Sequence, residues 1–301
     1  MRPAEGLAAR ATPLARVAGA PISWGVCEVP GWGHQLPAGV VLGQMRDLGL
    51  EATELGPDGF LPGASDEKAL ALSSYGLAAV GGFVPVVLHD GDRDVRHEVA
   101  TALESLVATG ARTLVLAADA GTTGYDQRVV LDDGAWKTLL GNVEAVTDAA
   151  QAHGVTVALH PHVGTVVESR DDVDRLLDAS AVALCLDTGH LLIGGTDPAE
   201  LAASVPDRVA HVHLKDVDDA LAERVRAGEL SYTDAVARGM YRPLGQGDVD
   251  IAGIVRDLEA AGYAGWYVLE QDTVLDTDPP PGSGPVEDVR ASLDFLRSVA
   301  P

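Results

Sequence analysis

Eight short apolar runs rich in β-forming residues alternate with amphipathic helical patterns from residue 17 to the C-terminus, and no linker interrupts the rhythm. Such alternation predicts parallel strand–helix–strand units. Strands are expected at residues 17–23, 52–55, 77–84, 113–117, 155–160, 182–187, 209–214 and 266–270. Helices are expected at 37–48, 66–74, 94–109, 134–153, 171–179, 197–204, 251–261 and 286–299, several of them stopped by a glycine such as Gly110, Gly154 or Gly262. Eight strands predict an α/β protein of the (β/α)8 TIM barrel type, a single domain over residues 17–301 after a flexible tail at 1–16. The stretch 218–247 is longer than a barrel connection requires, so it is expected as an insertion over the barrel mouth, with helices at 218–227 and 232–238. A doubly wound open sheet is the competing architecture. Its glycine-rich phosphate fingerprint is missing, since Ser23-Trp24-Gly25-Val26 follows the first strand.

A barrel directs the C-terminal ends of all its strands to one face, where chemistry is placed. Four of those ends carry metal-binding residue types: His160-Pro161-His162, Asp187-Thr188-Gly189-His190, His211 and His213, and Glu270. One imidazole, one carboxylate, a second imidazole and a second carboxylate, namely His160, Asp187, His213 and Glu270, are thus expected to converge on one divalent cation. Mixed nitrogen and oxygen donors suit manganese, cobalt, iron or zinc better than calcium or magnesium. A lone strand-end histidine is more often a hydrogen-bonded structural group, and it is the coincidence on four successive strands that argues for a metal. Residues two apart share a strand face, so both members of each His-x-His pair can look inward. His211, one step deeper, is expected to hold a ligand by hydrogen bond. His162 and His190, just past their strands, are expected to reach a substrate.

The formal net charge is −24, which repels phosphate backbones and anionic membranes, and no basic patch offsets it. Neither nucleic acid nor membrane is an expected partner. The only lysines are Lys68, Lys137 and Lys215, and Lys215 stands beside the metal-type cluster. Cys27 and Cys185 form neither a disulfide framework nor a zinc pattern, and Cys185 reads as a buried thiol, which fits a reducing cytoplasm. Residues 1–16 lack a signal-peptide apolar stretch, and no window is long enough for a membrane span.

The segments Ala20-Pro21-Ile22-Ser23-Trp24, Thr53-Glu54-Leu55-Gly56, His160-Pro161-His162-Val163-Gly164-Thr165, Asp187-Thr188-Gly189-His190, His211-Val212-His213-Leu214-Lys215-Asp216, Gly245-Gln246-Gly247 and Gly265-Trp266-Tyr267-Val268-Leu269-Glu270 resemble the xylose isomerase-like barrel superfamily, and within it the inosose dehydratases. The resemblance implies a divalent cation, manganese or cobalt, and a polyhydroxylated ketone as the small-molecule substrate. It also implies Asp187, His213 and Glu270 as metal ligands. His160 stands where ketose epimerases and isomerases of the superfamily usually carry glutamate. Epimerisation uses acid/base groups on both faces of an enediolate, and a metal-bound imidazole is a poor replacement for one of them.

The expected reaction is therefore β-elimination of water from a cyclic polyhydroxy ketone such as scyllo-inosose, a step in inositol catabolism by a carbon–oxygen lyase. Lys215, His190 and His162 are the candidate proton-transfer groups. The bland alternative for Lys215 is a surface lysine paired to Asp216. Glu54 and Trp24, at the ends of the second and first strands, are candidates for binding the substrate's hydroxyls and ring face. Ketose or inosose isomerisation and elimination from a 3-keto-glycoside are the competing enzymatic readings, and a noncatalytic sugar-binding protein is another. A nuclease on this barrel would want more ligands and a cationic groove. A homo-oligomer is compatible with the pattern, and Tyr241 or Arg242 of the insertion are expected to bear on substrate choice.

Overall fold

The computed structural model describes residues 13–299. Its strands are β1 (Val17–Gly19), β2 (Ala52–Thr53), β3 (Ala78–Ala79), β4 (Gly81–Val86), β5 (Thr113–Ala118), β6 (Thr156–Leu159), β7 (Ala183–Asp187), β8 (Val209–Leu214), β9 (Asp216–Val217), β10 (Tyr241–Arg242) and β11 (Tyr267–Leu269). Nine of them form one parallel sheet in the order β3-β2-β1-β11-β8-β7-β6-β5-β4. The two ends of that order are neighbours in the chain, separated only by Val80. The amides of Val80 and Leu55 carry the ladder across the gap, donating to Thr53 O at 3.0 Å and Gly81 O at 3.1 Å. β3 and β4 are thus one stave, and the sheet closes as the expected eight-stave barrel with helices outside it.

Each principal helix lies within one or two residues of its expected span, and the caps explain why. Asp94, Asp132, Ser169, Asp197 and Asp250 each accept backbone N–H groups at a helix start. Gly110 and Gly262 close two helices in the left-handed region. An additional short helix, Thr188–Ile193, starts directly on β7 because Asp187 serves as its cap.

The main apolar core lies between the staves and the helices and includes Leu114, Leu159, Leu186, Val212 and Leu214, all fully buried. Inside the barrel, alternation along the staves leaves mostly small residues: Ala18, Ala52 and Val268 in one cluster, Val115, Ala158 and Cys185 in another. That small-residue floor leaves room above it for buried polar side chains. A register shift between Leu184 and Cys185 sets the pairing of β7 with β8, so that Cys185 faces His211 and Asp187 faces His213.

Two local expectations are revised. The first strand ends at Gly19, because Pro21–Trp24 turns into a 3-10 helix closed by Gly25 at φ 79°. At the start of the barrel, Pro13–Arg16 forms a 3-10 turn, and Arg16 donates to Gly265 O at 2.6 Å and Glu259 Oε1 at 2.5 Å. Residues 1–12 of the expected tail lie outside the described residues.

The 218–247 stretch carries helices Asp219–Arg226 and Tyr232–Ala237, where two helices were expected, between the antiparallel pair β9 and β10. It has an apolar cluster in which Val217, Tyr232, Met240 and Tyr241 join Val163, in the loop after β6, and Ile193, at the end of the short helix after β7. Asp216 ties its base: one carboxylate accepts N–H groups from Val217, Gly245, Gly247 and Val249 at 2.8–3.1 Å. Gly247 must be glycine there, since a Cβ would stand 2.3 Å from Asp216 Oδ1.

Candidate metal centre

The four expected ligands converge. His160 Nε2 lies 3.1 Å from His213 Nδ1 and 3.3 Å from Asp187 Oδ2, and His213 Nδ1 lies 3.4 Å from Asp187 Oδ2 and 3.2 Å from Glu270 Oε2. Two atoms bound to one small cation at about 2.0–2.2 Å stand about 3.0–3.5 Å apart, so these separations are the edges of a coordination shell. Asp187 Oδ1 accepts N–H from Gly189 at 2.9 Å and His190 at 2.8 Å, while its buried Oδ2 has no hydrogen-bond partner. A buried carboxylate oxygen left without a donor is costly, and a cation between the four side chains relieves it. The residues fit a divalent ion.

Charge points the same way. Glu54, Asp187, Glu270 and Asp272 are four buried carboxylates, and the buried cationic lysine among them is Lys215. Burial opposes ionisation of Asp187, but Lys215 and His190, with the His160 and His213 rings close by, hold its carboxyl well below the usual range. Burial likewise opposes a charge on His213, yet Cys185, Glu270 and Glu54 push its imidazole well above the ordinary value. Without an ion, the cluster draws a proton onto the nitrogen that faces the carboxylates.

The motifs explain the geometry locally. Thr188 Oγ1 donates to Lys215 O at 2.6 Å and accepts from Lys215 N at 2.8 Å, lashing the end of β7 to that of β8. Gly189 packs so closely that a Cβ would meet the Lys215 side chain at 2.7 Å and the Tyr241 ring at 2.8 Å. After β6, His162 donates from Nδ1 to Val163 O at 2.7 Å and stacks on His190 with ring centres 3.7 Å apart. Gly164, at φ 77°, turns the chain where a Cβ would lie 2.5 Å from the Tyr125 backbone.

A cavity of about 560 Å³ opens over this cluster and is lined by His160, His162, His213, Lys215, Glu270 and Asp272, among others. Lys215 is 2 % exposed and pairs with Glu270 at 3.0 Å and with Asp272; it does not pair with Asp216. Burial opposes its charge, but Asp272, Glu270 and Asp187 keep the ammonium well above the usual lysine range. Burial, with the neighbouring His160 ring and the Lys215 ammonium, drives His162 well below the ordinary imidazole value. His190, expected to reach a substrate, is instead buried behind Lys215, with Nε2 3.3 Å from Nζ, and does not line the cavity.

Other expectations change as well. Glu54 touches the cavity, but its Oε1 is spent on His211 Nε2 at 2.8 Å and His213 Nε2 at 3.0 Å, so it orients the imidazoles. Hence His211 meets His213 through the shared carboxylate. Trp24 does not line the cavity: the 3-10 turn swings it into the core, fully buried, with Nε1 donating to Gln44 Oε1 at 2.7 Å. In the insertion, Tyr241 is buried and shares a hydrogen bond with Tyr232 at 3.0 Å, whereas Arg242 pairs with Asp218 at 3.0 Å; neither lines the cavity. Asp272, which lines the cavity, and Tyr232, which hydrogen-bonds to it, were not singled out from the sequence. Asp272 had a signal, standing two residues beyond Glu270 as His162 stands beyond His160.

Comparison with known proteins agrees with the fold and the motifs. Residues 42–299 match the family model described as Xylose isomerase-like TIM barrel. The chain is 33 % identical over 273 residues to an inosose dehydratase of Geobacillus kaustophilus, covering 85 % of this chain and 87 % of that one. It is 34 % identical over 262 residues to the rhizopine catabolism protein MocC of Rhizobium meliloti, covering 84 % and 80 %. Among solved structures, the IolI protein with a bound zinc atom superposes with a TM-score of 0.67 at 14 % identity, covering 94 % of this chain and 97 % of that one. The chain belongs to the xylose isomerase-like TIM barrel family, as an inosose dehydratase-like member.

Proposed function

We propose that the protein is a metal-dependent dehydratase of a cyclic polyhydroxy ketone, with scyllo-inosose (2-keto-myo-inositol) the substrate of choice and inositol catabolism its setting. The carbon–oxygen lyase class accords with the dehydratase relatives. The observation that carries the reading is the convergence of His160, Asp187, His213 and Glu270 at coordination distances beneath a cavity that also presents Lys215 and His162. Manganese or cobalt is the proposed ion, held by those four side chains. When bound, it supplies Lewis-acid polarisation of the ketone.

The chain's own groups supply the proton transfers. Because His162 Nδ1 donates to Val163 O, its Nε2 is the unprotonated nitrogen of a neutral ring, fit to take the α-proton. Lys215, held as an ammonium between carboxylates, stabilises the developing enediolate charge and donates to the departing hydroxyl. The α C–H bond and the β C–O bond break, a C=C bond forms, and the hydroxyl leaves as water. His190 backs both groups through its contacts with Lys215 and with the His162 ring. Elimination needs no second base on the opposite ring face, which suits a centre where an imidazole occupies the β6 position.

The partner is thus a small polyol ketone, and the acidic chain disfavours a nucleic-acid or anionic membrane partner. No helix among the described residues is long and apolar enough to cross a membrane. Two free cysteines suit the proposed cytoplasmic setting. The test is ultraviolet absorbance on mixing manganese-loaded protein with scyllo-inosose, beside a chelated control. A metal-dependent rise from the conjugated product is expected. Exchange of the α-proton with solvent and no loss of water would replace dehydration by isomerisation.

A further inference from the structure

The segment after β11 is built to aim two carboxylates at one amine. Ser23 Oγ donates to Leu269 O at 3.1 Å and accepts from Gln271 N at 3.0 Å, and Gln271 Nε2 reaches Asp288 at 3.3 Å. Gln271 is thereby turned toward helix Pro285–Val299, while Glu270 and Asp272 on either side of it face the cavity. Asp272 Oδ1 takes a hydrogen bond from Lys215 Nζ, and its Oδ2 takes one from Tyr232 Oη at 2.5 Å. Tyr232 is 2 % exposed, starts a helix of the insertion, and is bonded in turn to Tyr241 Oη at 3.0 Å. The Tyr241 ring centre lies 5.2 Å from Lys215 Nζ.

These contacts matter because of what an ion does to the rest of the lysine's surroundings. Of the three carboxylates near Nζ, Glu270 at 3.0 Å and Asp187 at 3.7 Å are the ones that would hold the proposed ion. Once their charge is committed to a divalent ion, that ion repels the ammonium, and Asp272 is the anion that remains to hold it. Tyr232 occupies the other carboxylate oxygen and so fixes which one the lysine meets.

We propose that Asp272, clamped by Tyr232, positions the Lys215 ammonium beside the metal site, so that the insertion is a working part of the active centre. The proposal rests on the dehydratase reading for its catalytic consequence, but not for the clamp itself. Asp272 and Tyr232 are positioning residues, acting on the reaction through Lys215.

With only three lysines in the chain, 15N-lysine labelling resolves the clamp directly, because a buried, hydrogen-bonded ammonium exchanges slowly and gives its own resonance. Wild-type protein loaded with diamagnetic zinc is expected to show one such protected signal. Asp272→Asn should remove it and lower kcat for scyllo-inosose about 100-fold with KM within about threefold, and Tyr232→Phe should shift it and lower kcat about 10-fold. Asp272→Glu should restore part of both readouts. Folded Asp272→Asn and Tyr232→Phe proteins with unchanged resonance and unchanged kcat would overturn the clamp. If wild-type protein does not dehydrate scyllo-inosose while the variants still lose or shift the signal, the clamp stands and the substrate reading falls.

Discussion

Replacing Glu54 by Gln separates two readings of one carboxylate, since the side chain touches the cavity yet spends Oε1 on two imidazoles. A hydrogen bond to a charged acceptor contributes about 1.5–3 kcal/mol and a neutral one about 0.5–1.5 kcal/mol, so neutralising the acceptor weakens the His213 contact by roughly 1–1.5 kcal/mol. That contact fixes Nε2 as the protonated nitrogen of a neutral His213 and leaves Nδ1 for the ion, so the loss should fall on metal binding. Carboxylates that hold metal-bound histidines typically account for about 10- to 100-fold in affinity, or about 1.4–2.8 kcal/mol. The lower half of that range is expected here, because the amide oxygen can still accept. Zinc competition against a chromophoric chelator reads the affinity, with circular dichroism confirming the fold and steady-state kinetics giving KM on the manganese form. Affinity within twofold of wild type together with a tenfold rise in KM would refute the reasoning and return Glu54 to the substrate.

The other expectations concern packing and protons. Trp24→Phe should cost about 1–3 kcal/mol of stability through the lost Gln44 hydrogen bond and ring volume, with KM unchanged; a KM shift of several-fold would put Trp24 back at the substrate. Gly164→Ala should cost about 2–4 kcal/mol in denaturant unfolding, because the Cβ meets Tyr125 backbone in a left-handed turn, and wild-type stability in that variant would contradict the close approach. Burial depresses His162, His190 and His211, so the stability from keeping them neutral is present above pH 6.5 and lost as pH falls, at roughly 1 kcal/mol per pH unit for each. His213 is raised, and its contribution is present below pH 6.5 and lost as pH rises through its folded value. Metal-free protein should therefore be most stable near pH 6.5–7, and zinc, by taking the His213 nitrogen, should abolish the alkaline decline; unfolding at pH 5.5, 6.5 and 8 with and without zinc checks both limbs.

The convergence of His160, Asp187, His213 and Glu270 was legible in the sequence for a physical reason. A parallel barrel puts successive strand ends on one rim, and a stave of period two puts His160 with His162, and His211 with His213, on one side. What escaped was decided by local turns and by long-range partners. Trp24 reads as a rim residue only if its strand runs on to Ser23, and the Pro21–Trp24 turn ends that run early. Short helix Thr188–Ile193 is invisible to periodicity, because Asp187 both caps it and faces the ligand cluster. Tyr232 meets Asp272 across 40 positions of sequence, and nothing in a helix-forming stretch marks one tyrosine for that contact. The same limit explains Glu54, whose residue type suits either a substrate hydroxyl or an imidazole. Strand-end periodicity therefore exposes the groups that would bind an ion, whereas the groups that orient them and balance their charge are set by side-chain partners far apart in sequence, and these residues decide what the rim does.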